Sequence, residues 1–558
     1  MDTLRKWQEY ADLDPELKEE LNQLSEEELQ EAFYKDLEFG TAGMRGIIGP
    51  GTNRMNIYTL RRANYGYGKY LLNKYTKPSV VIAYDSRHKS KEFAEECAKV
   101  LGEMKIKVYL FSKITPTPEL SFAVRHLRAQ GGIIIPASHN PPNFNGYKVY
   151  DEYGCQLVPE LLDEVLEELE QAPDAFTIPT GNFQELLEKG YINIIGDDFD
   201  EIYLSEVRKV AVNPHLKKDG FLVVFTPLHG TAAHHGERLL KDFGYDYRVV
   251  EEQMVPDPDF RTVNYPNPED PDAFALAIAY GKKYGADILL ATDPDADRIG
   301  MAVFDGKNYV LLSGNQTGAL LLHYLINEKK PKKSSVVFKT IVTSDLGEKI
   351  ARAASLEVVS TLTGFRYIGE QARLLEATDK EFFFGYEESF GYVIKPFVRD
   401  KDSLQALVLC CEAANFYKLR GKNLLDVLED IYREYGYHED GIVNLQFAGR
   451  EGAERIEAIM EYFRSNRFTH IGSSKLIATE DYLERVRREG EVTSVLTLPA
   501  SDVIKFFLED DAWVVLRPSG TEPKLKIYFS AVSEDRDAAE EKVKELKSVI
   551  LSMIEKAG

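Results

Sequence analysis

Residues 286–298 read ADILLATDPDADR, an apolar run that passes directly into a loop carrying Asp293, Asp295 and Asp297 at alternate positions. A short, nearly continuous apolar run bounded by turn residues predicts a strand buried on both faces, as in a parallel sheet covered by helices. FLVVF (221–225) and YRVV (247–250) precede it at helix-length intervals, and the same three-run pattern recurs on either side. Upstream, SVVIAY (79–84), KVYLF (107–111) and GGIII (131–135) end in PASHNPP. Downstream, SSVVFK (334–339), LEVVS (356–360) and EFFF (381–384) end in GYEESFG. Each round closes on its most chemically loaded loop, and in open α/β sheets ligands gather beyond the carboxyl ends of strands. Three related α/β modules are expected.

The flanks read differently. Residues 1–35 space Leu, Trp and Tyr among acids as amphipathic helices do. Beyond about residue 445, a helical segment, the strand-like runs DAWVVL (511–516) and KIYFSA (526–531) and a charged closing helix predict a smaller α+β domain. Stretches 209–220 and 436–446 read as linkers, and the expected domains are 1–208, 209–310, 311–440 and 441–558.

At 558 residues, 44% hydrophobic and 28% charged, the chain has the composition of a folded multidomain protein. Its net charge of −23 argues against a broad nucleic-acid or anionic-membrane surface. A local basic cluster can still bind an anionic small molecule in a cleft, because salt screens distant charge. The charged N-terminus lacks a signal-peptide core, and no apolar stretch reaches spanning length. Cys97, Cys155, Cys410 and Cys411 form no CxxC pair and read as reduced structural thiols of a cytoplasmic protein.

The loops decide the chemistry. Three carboxylates alternating in extended backbone face one side and can converge on a hard cation. The calcium-loop alternative fails, since Arg298 and Phe304 stand where an EF-hand needs Gly and Glu. An all-oxygen site with open positions suits Mg²⁺ that also takes a phosphate oxygen, and Arg298 offers a fork for the same phosphate. Ser138 and His139 sit in a loop braced by Pro136, Pro141 and Pro142, which lacks the glycines of a GxSxG elbow. Beside a metal loop, such a serine is a candidate phosphoryl carrier. RPSGTEPKLK (517–526) groups Arg517, Ser519, Gly520, Thr521, Lys524 and Lys526 as a phosphate cradle. FGTAGMRG (39–46) is a further glycine-rich loop ending near Arg45; neither GxGxxG nor GxxxxGK[ST] occurs. Glu387 and Glu388 point apart in extended backbone and make a poor glycosidase pair, whereas Glu387 and Ser389 share a side and can bind sugar hydroxyls.

FGTAGMRG, PASHNPPNFNGYKVY, TDPDADR, TLTGF, GYEESFGY and RPSGTEPKLKIY, in this order, resemble the loops of the α-D-phosphohexomutase family, in its longer branch. The resemblance runs from about residue 39 to the C-terminus. It implies four domains around a central cleft, three of them related α/β modules and the fourth a phosphate-binding domain. It implies a phosphoserine at Ser138 and Mg²⁺ held by Ser138, Asp293, Asp295 and Asp297. His139 and Arg298 would attend the phosphoserine, and Lys148 and Arg45 the transferring group. Thr41, Thr363, Gly364, Glu387 and Ser389 would contact the sugar phosphate, and Arg517, Ser519, Gly520 and Thr521 the nonreacting phosphate. Three positions depart from the family's usual loops: Arg366 where Lys is common, Ser403 where Gly is usual, and Pro136 where Thr is frequent.

The expected activity is a Mg²⁺-dependent interconversion of glucose 1-phosphate and glucose 6-phosphate through a phosphoserine and glucose 1,6-bisphosphate, which would also act as activator. Mannose and pentose phosphates are the alternative substrates. A phosphoserine-dependent phosphatase would have no need of the second phosphate cradle, and a sugar-phosphate sensor would have little use for Ser138 and three aspartates together. The expected partner is a small phosphosugar, with no nucleic acid and no membrane; oligomeric state is left open.

Overall fold

The computed structural model describes residues 2–40, 43–447, 449–519 and 524–557. The chain forms two compact units: residues 1–317 with 365–423, and residues 318–364 with 424–558.

In the first unit, Gly131–Ile135, Ser79–Tyr84, Lys107–Phe111 and Ile192–Ile195 pair side by side in parallel. Phe144–Tyr150 and then Met44–Ile47 extend this sheet antiparallel beyond Gly131–Ile135. The second module repeats the plan. Leu222–Thr226 lies between Asp246–Val249 and Ile288–Thr292, both parallel to it, and Ile299–Phe304 and Tyr309–Leu311 continue antiparallel. In both, the third predicted strand lies beside the first, with its loop at the same end of the sheet. Gly131–Ile135 and Ile288–Thr292 are buried at every position, which explains their unbroken apolar runs.

The predicted N-terminal helices are Asp2–Glu9, Pro15–Gln23 and Glu26–Phe33, the last opened by a Ser25–Glu28 capping box. Trp7 anchors them edge-on against Phe33, Tyr58 and Phe176. This unit also contains the hairpin Glu381–Glu387 and Gly391–Val393, which carries GYEESFG at its turn. The helix Ser403–Lys418, N-capped by Asp402, follows it.

In the second unit, Ser335–Thr340 and Glu357–Thr361 form a parallel pair. An antiparallel sheet joins Tyr437–Gln446, Lys524–Ser533, Trp513–Pro518, Ile504–Leu508 and Ser474–Asp481. The helices Gly449–Ser465 and Arg536–Ala557 pack on it through a core that includes Ile459, Phe463, Leu546 and Ile550. The expected linker at 436–446 is therefore a strand. Tyr437–Gln446 lies at the sheet's edge and largely alternates partly buried with exposed residues, so it presents no apolar run to read.

All four cysteines are buried and free, as expected. Among the described residues, no helix is long and apolar enough to cross a membrane.

Candidate active site

Ser138 follows Gly131–Ile135 in a turn with φ of +47°, a left-handed conformation that costs a non-glycine residue about 1–2 kcal/mol. Two buried residues at the end of the neighbouring strand Ser79–Tyr84 impose it. Asp85 accepts a bond from the Ala137 amide (3.2 Å), and the Arg87 guanidinium donates to the carbonyls of Ser138 (2.7 Å) and Pro141 (2.7 Å). Asp85 in turn fixes Arg87, accepting from its amide at 3.0 Å, and the Arg87 guanidinium stacks over Phe260. This pair lies in none of the loops quoted in the sequence analysis; DSR at the carboxyl end of SVVIAY was the available signal.

The held serine points at the aspartate loop. Ser138 Oγ donates to Asp293 Oδ2 at 2.7 Å and lies 3.2 Å from His139 Nδ1. Asp293, Asp295 and Asp297 are buried, and one oxygen from each lies within 4.8 Å of the others. The convergence was expected, but its cause differs from the expected alternation in extended backbone. Residues 293–297 form a turn in which Ala296 has φ of +58° and Asp293 Oδ1 accepts the amides of Asp297 (3.0 Å) and Arg298 (2.9 Å). From behind, the Thr231 amide donates to the Pro294 carbonyl at 2.8 Å. Gly230 is required there, since a Cβ would stand 2.4 Å from Pro294 Cα. Thr117, opening the helix Thr117–His126, donates both its amide and its hydroxyl to Asp295.

Burial first, then Asp297 and Asp295, raises the Asp293 carboxyl well above its usual range. Three carboxylates this close and this buried need cations to remain charged. Two lysines supply charge from the protein. Lys148 Nζ lies 3.0 Å from Asp295 and 3.6 Å from Asp297, and Lys401 Nζ lies 3.0 Å from Asp297. Burial alone would lower both ammonium groups, but the carboxylates outweigh it and raise them. Lys401, in RDKDS, is a second residue that the sequence reading passed over. Asp295 Oδ1 and Asp297 Oδ1 are buried and make no hydrogen bond among the described residues. An all-oxygen donor set with uncommitted lone pairs fits a hard divalent cation.

The other expected residues divide between the units. Arg45 donates to the Asn140 side chain at 2.8 Å, in the serine loop. Arg298 pairs with Glu269 and stands 3.8 Å from Asp297; its backbone bridges Gly391 in the hairpin that carries Glu387 and Ser389. Burial pushes the Glu387 carboxyl up to about 7, against the opposing charge of Lys401, and Ser389 bonds to it. Ser403 donates its hydroxyl to the Ala296 carbonyl, so this departure from the family's glycine touches the metal loop. Arg366 donates to the Leu157 carbonyl at 3.2 Å. Thr363, Gly364, Arg517 and Ser519 belong to the second unit. There Thr363 Oγ1 is buried without a hydrogen bond among the described residues. Arg517 faces Lys526 across the hairpin, and the Ser519 amide donates to the Lys524 carbonyl at 2.7 Å. Thr41, Gly520 and Thr521 lie outside the described residues.

Comparison with known proteins identifies the family. Family models described as phosphoglucomutase/phosphomannomutase α/β/α domains I, II and III match residues 36–175, 201–306 and 313–435, and the C-terminal domain model matches 479–548. The chain belongs to the phosphoglucomutase/phosphomannomutase family. It therefore has three related α/β domains and a C-terminal domain, and it is a phosphosugar mutase. Phosphoglucomutase of Staphylococcus aureus strain MRSA252 is 40% identical over 528 residues, 93% of this chain and 94% of that protein. The strain MSSA476 protein of the same name is 40% identical over 544 residues, 96% of this chain and 97% of that one. Among solved structures, the open form of the Paramecium phosphoglucomutase parafusin has a TM-score of 0.69 at 17% identity, covering 94% of this chain and 95% of that one. A phosphoglucomutase/phosphomannomutase family protein of Burkholderia thailandensis has a TM-score of 0.68 at 17% identity, covering 93% and 97%. At such identity these structures speak for the fold.

Proposed function

We propose that this protein is a phosphoglucomutase that interconverts glucose 1-phosphate and glucose 6-phosphate, with Ser138 as its phosphoryl carrier. The observation that carries the reading is the 2.7 Å contact of Ser138 Oγ with a buried three-carboxylate site. It occurs in a chain whose relatives at 40% identity are named phosphoglucomutase.

In the first half-reaction the Ser138 Oγ–phosphorus bond breaks, a sugar hydroxyl oxygen forms the new bond to phosphorus, and the hydroxyl's proton passes through the acid–base residue to Ser138 Oγ. In the second, the other phosphate's bond to the sugar oxygen breaks, its phosphorus bonds to Ser138 Oγ, and the Ser138 hydroxyl proton passes through the same residue to the departing sugar oxygen. Asp293, Asp295 and Asp297, with phosphorylated Ser138, are the residues that would hold Mg²⁺, which would neutralise charge on the transferring oxygens. Lys148, kept as an ammonium by its carboxylates, is the proton donor to the departing oxygen, and His139 is the second candidate. Arg45 holds the serine loop through Asn140, and Arg298 directs charge to the transferring group. Thr41, Thr363, Gly364, Glu387 and Ser389 bind the sugar end; Arg517, Ser519, Gly520 and Thr521 take the phosphate that is not reacting. Glucose 1,6-bisphosphate re-primes protein that has lost its phosphoryl group. Free, buried cysteines accord with a cytoplasmic place for this chemistry.

The test is a parallel assay on glucose, mannose and ribose 1-phosphates with inorganic phosphate release measured alongside. Isomerisation fastest with the glucose ester, without net release, is expected. Faster turnover of mannose or ribose reassigns the sugar, and release of phosphate without isomerisation overturns the mutase reading.

A further inference from the structure

Away from Ser138, three helices bring a second set of ionisable side chains together in the first unit. Glu119 lies in the first turn of Thr117–His126, Asp200 in Asp198–Arg208 and His235 in Ala233–Asp242. All three are buried, Glu119 completely and His235 to 2% exposure, and one donor atom from each lies within 4.8 Å of the others. His235 Nε2 stands 3.0 Å from Glu119 Oε2 and 3.8 Å from Asp200 Oδ2. At its edge, Lys113 Nζ pairs with Asp200 at 2.6 Å and with exposed Asp197 at 2.8 Å.

A buried ion pair is the ordinary explanation of such a group, and it leaves one observation unexplained. Glu119 Oε1 and His235 Nδ1 make no hydrogen bond among the described residues, and the Nε2–Oε2 approach of 3.0 Å is poorly aligned. The imidazole edge is not aligned on the carboxylate. A fully buried carboxylate oxygen without a hydrogen bond is costly, and Oε1 calls for a partner that His235 does not supply. Donors that approach one another without aligning are arranged as ligands of one cation are. Two metal bonds of about 2.1 Å at a tetrahedral angle set their donor atoms about 3.4 Å apart, between the two distances seen here.

We propose that Glu119, Asp200 and His235 bind one divalent d-block cation of the Zn²⁺ class. One imidazole with two carboxylates suits Zn²⁺, Co²⁺ or Mn²⁺, whereas the aspartate triad is all oxygen and suits Mg²⁺. The ion ties Thr117–His126 to Asp198–Arg208 and Ala233–Asp242. It also steadies Thr117, two residues before Glu119, which holds Asp295. The site is thus a structural clamp behind the catalytic loop.

The experiment uses the full chain, stripped with chelator, saturated with excess Mg²⁺ and titrated with Co²⁺. Visible absorption and elemental analysis of the desalted protein are the readouts. One Co²⁺ per chain with the d–d bands of a low-symmetry site is expected, with a raised unfolding midpoint. Asp295→Asn should retain that equivalent, and His235→Gln and the near-isosteric Asp200→Asn should each lose it. Absence of bound Co²⁺ in folded wild-type protein overturns the site, leaving a buried ion pair. Retention of the full equivalent in both the His235 and Asp200 variants overturns it equally.

Discussion

Ser138 Oγ and Asp293 Oδ2 meet at 2.7 Å across 155 positions of sequence, joining the last strand-end loop of the first module to that of the second. A serine held this way has its hydroxyl committed to the metal loop before any substrate arrives. A fraction of purified protein should carry phosphate on Ser138, read by peptide mass spectrometry. Ser138→Ala should lower kcat by on the order of 10⁴ or more, the scale of losing a covalent nucleophile. Full activity of that variant would remove the carrier from the mechanism.

The carboxylate triad should make activity depend on a divalent cation. Exhaustive chelation should abolish turnover and Mg²⁺ should restore it. Asp295→Asn should cut kcat/KM at least a hundredfold at saturating Mg²⁺, with little change in circular dichroism, since the amide keeps the shape but not the charge. Turnover that survives chelation would contradict the metal assignment.

Arg87 should matter without touching the reacting atoms, because it sets the backbone that carries Ser138. Arg87→Lys keeps the charge but lacks the fork that reaches the Ser138 and Pro141 carbonyls. Its kcat should fall about ten- to a hundredfold with KM nearly unchanged, on about 1.5–3 kcal/mol of lost charge-assisted bonding. Arg87→Met leaves Asp85 as a buried unpaired charge and should cost about 3–5 kcal/mol of stability. Adding Asp85→Asn should recover part of that stability but not kcat. Equal losses of stability and rate in every variant would mean that the pair serves folding alone.

Arg517→Ala should weaken glucose 1-phosphate and glucose 6-phosphate alike by about ten- to a hundredfold, if its loop takes whichever phosphate is idle. The variant should also need more added glucose 1,6-bisphosphate, because an intermediate held less tightly escapes before returning its phosphate. A defect with only one of the two esters would refute the shared cradle.

His438 offers a pH test in the second unit. Burial holds its imidazole down at about 4, and Nδ1 contacts the Gly436 carbonyl at 3.0 Å while Nε2 makes no hydrogen bond among the described residues. The unfolded chain takes up a proton near pH 6.5, and the folded one only near pH 4. Stability is therefore full above that window and falls as pH drops through it, by about 3 kcal/mol at most. Urea melts followed by Trp513 fluorescence at pH 7.5 and 4.5 should show the loss, and His438→Gln should flatten it. An unchanged slope in the variant would assign the pH dependence to other groups.

Much of this was legible before any coordinates. Strands buried on both faces, such as Gly131–Ile135 and Ile288–Thr292, are written as unbroken apolar runs, and eight of the nine strands of the repeated pattern were readable within a residue or two; Glu381–Glu387 continues three residues past the apolar EFFF. The serine loop and the aspartate loop were readable because each follows such a strand directly. The antiparallel strands Phe144–Tyr150 and Ile299–Phe304 and the edge strand Tyr437–Gln446 were not anticipated. Pairing decides their fate more than local pattern does: buried Asn145 and Lys148 interrupt the apolar signal of Phe144–Tyr150, and partial exposure dilutes that of Tyr437–Gln446.

By itself, then, the sequence determined the module plan and the family, and it singled out the loops proposed to carry the chemistry, because those follow from local residue types and their order. Tertiary structure alone decided how the charges are balanced. That Asp85 and Arg87 bend the backbone at Ser138, that Lys148 and Lys401 face the triad, and that Glu119, Asp200 and His235 meet at all depends on residues far apart in sequence. Their partnership arises only when separate strands and helices pack, and the energy of a buried charge depends on what packing places within a few ångströms of it.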